Sequence, residues 1–195
     1  MIAGTSGVGK STVGMGLAAA RQVPRILSTD SIREIMRAVM PVDEDHSALH
    51  RSSFSMGEVG DPVRDWLDAS AAVRPGIDAV LERSRREGTD LILEGVHLLP
   101  SLDLLRSWSG DGGIAVGIVL HCEVERTHRE RILARESNTY RTASRYLAAM
   151  DRIRAIQDAV VDRGRVSGWH LLSTRTPEQA VERIEGWLNQ AYHAR

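Results

Sequence analysis

The chain has 195 residues, 25 Lys plus Arg against 26 Asp plus Glu, 42% hydrophobic and 4% aromatic residues, which fits one globular domain. A single cysteine, Cys122, excludes a disulfide scaffold and, with no apolar leader after Met1, favours a reducing, cytoplasmic setting. A net charge of -1 argues against nucleic-acid binding, and the longest apolar run, residues 114–120, falls far short of the roughly 20 residues that a membrane span requires.

The first informative run is Gly4-Thr5-Ser6-Gly7-Val8-Gly9-Lys10-Ser11, followed by Thr12. It has the spacing of a phosphate-binding loop: Gly, four residues, then Gly-Lys-Ser. Glycines let the backbone turn its N–H groups onto phosphate oxygens, and the helix that follows aims its positive end at the same anion. Lys10 would reach the β and γ phosphates of ATP, and Ser11 would ligate magnesium. Lys10 is also the only lysine in the chain, the other basic residues being arginines. A compact ammonium on a flexible stem is what such a loop needs, and a planar guanidinium does not replace it.

Beyond the loop, residues 10–22 read as a helix weakened by Gly14 and Gly16, 24–28 as a short strand and 31–40 as a helix. Residues 41–62 carry acids, serines and histidines without periodicity and read as irregular. A helix follows over 63–87, interrupted near Pro75-Gly76 and ended by Gly88. Residues 89–94 and 114–121 read as buried strands, with a short helix over 98–108 and a glycine turn at 110–113 between them. Helices over 123–135 and 142–164 flank a polar break at 136–141. A last strand, 169–173, precedes a closing helix, 177–192. This alternation predicts a parallel sheet of about five strands covered by helices on both faces.

In such sheets ligands bind at the carboxyl ends of the strands, so three strand ends hold the candidate chemistry. After the second strand, Ser31 and Glu34 fit a capping box, which leaves Asp30 free as a general base. Arg33 and Arg37, one helical turn apart, would clamp an anionic substrate. The ordinary alternative makes Asp30 a cap and the arginines a solvated face. After the third, Asp90-Leu91-Ile92-Leu93-Glu94-Gly95-Val96-His97 ends an apolar run in a carboxylate. Glu94 would hold magnesium or share the base role, and His97 would touch the substrate's anionic group or serve as a structural histidine. After the fourth, His128, Arg131 and Arg135 fall on one helical stripe. The arginine-rich stretch at about 123–145 then reads as a lid that supplies Arg131 and Arg135 to the migrating phosphoryl group, or as a solvated helix.

Taken together, the runs GTSGVGKST, LSTDSIREIMR, GIDAVLERSRREGTDLILEGVHLLP and RYLAAMDRIRAIQD resemble the 2-phosphoglycerate kinase family of phosphate-loop kinases. The resemblance implies an α/β phosphate-loop NTPase fold of the kinase kind. It also implies ATP- and magnesium-dependent transfer of the γ-phosphoryl group to the hydroxyl of 2-phosphoglycerate, giving 2,3-bisphosphoglycerate. By position, it places ATP phosphates on Gly7, Gly9, Lys10 and Ser11, and sets Asp30 and Arg33 toward the acceptor. Two other readings stay open: a kinase of the same architecture for another small hydroxylated metabolite, such as a sugar, nucleoside or antibiotic, and a nucleotide-dependent binding module with no acceptor.

Overall fold

A computed structural model describes residues 1–44, 46–50, 60–109, 112–136, 143–173 and 176–194. Five short strands form one parallel sheet: β1 (Ile2–Ala3), β2 (Ile26–Ser28), β3 (Ile92–Gly95), β4 (Ile118–Leu120) and β5 (His170–Leu172), in the order β2-β3-β1-β4-β5. The described helices are α1 (Lys10–Arg21), α2 (Thr29–Val39), α3 (Ser47–His50), α4 (Pro62–Glu87), α5 (Leu102–Ser109), α6 (Glu125–Glu136), α7 (Ala143–Ala148), α8 (Met150–Val166) and α9 (Pro177–His193). None of these is long and apolar enough to cross a membrane.

The edge strands β2 and β5 are partly open to solvent, while the central strands β1, β3 and β4 are buried along their whole length. Their side chains alternate, so Ile2, Ile92 and Ile118 join one apolar layer with Val13 and Leu17 of α1 and Ile184 of α9. Ala3, Leu93 and Val119 point the other way, into a layer built from α2, α4 and α8, with Trp66, Val73, Ile77 and Val160. Placing β1 at the centre puts the loop after it at the middle of the sheet's carboxyl edge. Ile2 pairs in register with Glu94 and Ile118, and Ser28 with Glu94, so the tips of β2, β3 and β1 lie side by side.

Three local features differ from the sequence reading. The cap of α2 is Ser28, whose side chain accepts from the Ser31 backbone N–H, so the helix starts at Thr29 and Asp30 lies in its first turn. The Ser31–Glu34 pair had matched the box in composition, but Thr29 is fully buried against His97, and that packing fixes the earlier start. The second difference is that α4 runs without interruption through Pro75, capped by Asp61 at its start and by Gly88 at its end. The third is that the 142–164 stretch divides at Ala149 into α7 and α8. Residues 51–59, most of the 136–141 break and the tip of the 110–113 turn lie outside the described residues.

Candidate active site

The loop between β1 and α1 folds as its glycines require. Gly7 and Gly9 hold φ of 83° and 93°, a region open to few other residues, and Gly9 is the N-cap of α1 with no side chain to obstruct the helix end. The backbone N–H groups of the first turn, with the positive pole of a helix of 12 residues behind them, make an anion cradle. Lys10 Nζ donates to the Thr5 carbonyl at 2.9 Å, folded back along the loop. Thr5 itself is buried, and its hydroxyl has no partner among the described residues.

Glu94, 6% exposed, is the penultimate residue of β3 and lies on the face that carries α1, because it shares register with Ile2. There it accepts a hydrogen bond from the Ser11 hydroxyl at 2.8 Å. A hydroxyl and a carboxylate joined at the mouth of a phosphate cradle form a hard-oxygen donor set, which suits magnesium, an ion that takes few protein ligands and keeps its waters.

One strand over, the turn from β2 into α2 presents Asp30, whose side chain is 61% exposed. Its Oδ1 lies 3.4 Å from Nδ1 of His97, and that same nitrogen lies 3.3 Å from the Thr29 hydroxyl. His97 is almost wholly buried; burial pushes its pKa down to about 4, with Asp30 pulling it up and Arg33 and Lys10 adding to the fall. The ring is therefore neutral at pH 7, and the neighbouring carboxylate favours the tautomer that carries its proton on Nδ1. The backbone makes this contact possible at Gly95: a Cβ there would stand 1.7 Å from the Thr29 hydroxyl oxygen.

Arg33 lies beneath Asp30, one helical turn along α2, and is 7% exposed. Its Nε donates to the Leu49 carbonyl at 2.9 Å, while Nη2 is buried with no partner among the described residues. Arg37 is half-buried: its Nη1 pairs with Glu34 at 2.9 Å, while its Nε is buried with no partner among the described residues. Arg131 Nη1 donates to the Cys122 sulfur at 3.2 Å, at the tip of β4. Arg135 lies within α6, but its side chain is outside the described residues. Thus the structure gathers Lys10, Ser11, Glu94, Asp30, His97 and Arg33 along adjoining strand tips, with Arg37 paired to Glu34 a turn further along α2 and Arg131 bonded to Cys122 beyond β4.

Several supporting residues escaped the sequence reading. Trp66 of α4 donates its indole N–H to the Val96 carbonyl at 2.7 Å, bracing the turn after β3. Gln157 of α8 grips both the N–H and the carbonyl of Cys122, and Arg154 donates to that carbonyl as well. Arg152 of α8 pairs with Asp65 of α4 in a largely buried ion pair. Periodicity placed Gln157, Arg152 and Arg154 on a helix; nothing in it distinguished them from solvated residues.

The fold and its loop define a phosphate-loop NTPase of the kinase-like kind. The chain belongs to the AAA domain family, whose model matches residues 1–162. It is similar to the 2-phosphoglycerate kinase of Methanopyrus kandleri, at 31% identity over 97% of this chain and 60% of that protein. The 2-phosphoglycerate kinase of Methanocaldococcus jannaschii is 33% identical over 86% of this chain and 55% of its own length. The chain therefore spans less than two thirds of these curated relatives. Among solved structures, a gluconokinase from Sinorhizobium meliloti shares the fold, with a TM-score of 0.51 at 17% identity, covering 99% of this chain and 93% of that one.

Proposed function

We propose that this chain is an ATP-dependent kinase that transfers the γ-phosphoryl group to the hydroxyl of a small anionic acceptor, 2-phosphoglycerate, giving 2,3-bisphosphoglycerate. The observation that carries this reading is the exposed Asp30 carboxylate beside the phosphate cradle, with the buried Nη2 of Arg33, which has no partner among the described residues, one helical turn beneath it. A binding module would need neither. The names of the similar proteins support the choice of acceptor, and a buried guanidinium with a spare donor favours an anion over a neutral sugar.

In this reading the loop N–H groups and Lys10 hold the β and γ phosphates of ATP and offset the charge that spreads over the migrating group. Asp30 accepts the proton as the acceptor's O–H bond breaks and its oxygen bonds to the γ phosphorus. The bond from that phosphorus to the β–γ bridging oxygen breaks in turn, and ADP leaves. His97, neutral and fixed by Thr29, orients Asp30 through Nδ1. Arg33 anchors the acceptor's phosphate or carboxylate, and Arg131 and Arg135 of α6 belong to a lid over the donor. Magnesium, which Ser11 and Glu94 would hold, would supply further charge neutralisation on the phosphates.

The test is ADP release from the purified chain with ATP, magnesium and a panel of phosphorylated acids, sugars and nucleosides. Stimulation by 2-phosphoglycerate, with 2,3-bisphosphoglycerate identified by mass, is the expected result. Turnover with a neutral sugar or nucleoside and none with 2-phosphoglycerate would overturn the choice of acceptor.

A further inference from the structure

His128 sits near the root of α6 and is fully buried, a costly place for an imidazole. Its Nε2 lies 2.7 Å from the Ser6 carbonyl, inside the phosphate loop and 122 residues away in the chain. A carbonyl can only accept, so Nε2 carries the proton and donates. Burial holds the pKa of the ring below its ordinary value, so the neutral form, with a bare Nδ1, is the one present at pH 7. That Nδ1 is buried with no partner among the described residues. A leucine would pack there without stranding a polar atom, so packing alone does not account for the histidine. Its ring also lies against the loop: a Cβ on Gly7 would meet Cδ2 of His128 at 3.2 Å and Cγ1 of Ile132, one turn along α6, at 2.5 Å. Ile132 in turn belongs to a small core with Met150 and Ile153 of α8, which anchors α6.

From this geometry we infer that His128 is a positioning residue for the phosphate loop, holding the Ser6 carbonyl so that the Gly7 N–H is turned away from α6 and kept for the nucleotide phosphates. The peptide between Ser6 and Gly7 is trans, and a planar trans unit points its carbonyl and the next N–H in opposite directions. Gripping one end therefore orients the other. The inference rests on the reading of the loop as an ATP site. It adds a direct tie between the loop and the base of the α6 segment.

Three variants test it through ATP affinity by calorimetry, the separate KM values for ATP and acceptor, and thermal unfolding. His128→Leu keeps the packing and removes the donor; His128→Gln carries an N–H donor at about the reach of Nε2; His128→Asn carries one that falls short. The Leu variant is expected to keep its Tm near that of the wild type, bind ATP about tenfold more weakly and leave the acceptor KM unchanged. Gln should restore most of the affinity and Asn little of it. If Leu does not fold, the contrast between Gln and Asn decides alone. ATP affinity in the Leu variant equal to wild type, or equal affinities for Gln and Asn, would overturn the inference while leaving the ATP site standing. A wild-type chain that binds no ATP would overturn the functional reading itself.

Discussion

The Ser11 hydroxyl and the Glu94 carboxylate, 83 positions apart, meet at 2.8 Å and so tie the first turn of α1 to the tip of β3. In the proposed reading the pair would hold magnesium beside the cradle. Glu94→Gln keeps the size and an acceptor oxygen but removes the charge. It should weaken the magnesium dependence of turnover by about 10- to 100-fold while ATP binding without metal stays near wild type. Titrations of rate against magnesium for the two chains check this; an unchanged magnesium midpoint would separate Glu94 from the metal.

Asp30→Asn preserves the shape beside His97 and removes the proton acceptor. Calorimetry should show ATP binding at close to the original affinity, with phosphoryl transfer reduced by about 10² to 10⁴. Transfer rates that match wild type would move the base role elsewhere.

Acid should destabilise the fold through its histidines. His97 has a folded pKa of about 4 against 6.5 for the free side chain, and burial also lowers His121, His128 and His170. As pH falls below about 6.5 the unfolded chain takes up protons that the folded chain refuses, so stability drops until roughly pH 4. His97 alone accounts for about 3 kcal/mol of this at most. Melting curves from pH 7.5 to 4.5 should slope less steeply for His97→Asn than for wild type, and parallel slopes would contradict the burial argument.

Gly95→Ala would place a methyl group on the Thr29 side chain, with its own backbone unable to retreat from the sheet. A cost of roughly 1–3 kcal/mol is expected, seen as a fall in Tm of about 2–10 °C. The same variant should raise the acceptor KM more than the ATP KM, because Thr29 and His97 are the contacts that set Asp30.

The sheet, its helical covers and the loop were legible because they rest on local signals: alternating apolar runs, Gly-Lys-Ser spacing, and a carboxylate closing a buried strand. Elsewhere tertiary packing overrode the local signal. Pro75-Gly76 reads as a break, yet α4 continues there, because its inner face buries Val73 and Ile77 and because a side chain at Gly76 would strike Ile32 and Met36 of α2. The glycine is there for a close helix crossing. Asp30, Arg33, Glu94 and Lys10 stood out through residue type and spacing. The tie from His128 to the loop spans 122 positions and leaves no periodic trace, and the Arg152–Asp65 pair joins two helices whose exposed faces look alike in sequence.

The Lys10 ammonium, laid against the Thr5 carbonyl within the loop, is the only side-chain primary amine the protein possesses. A mild acylating reagent thus meets one ε-amino target, situated where the donor's phosphates would lie. The mass gained on the peptide that carries Lys10, with and without nucleotide, becomes a direct count of how many molecules are shielded, with no radioactive label or coupled enzyme.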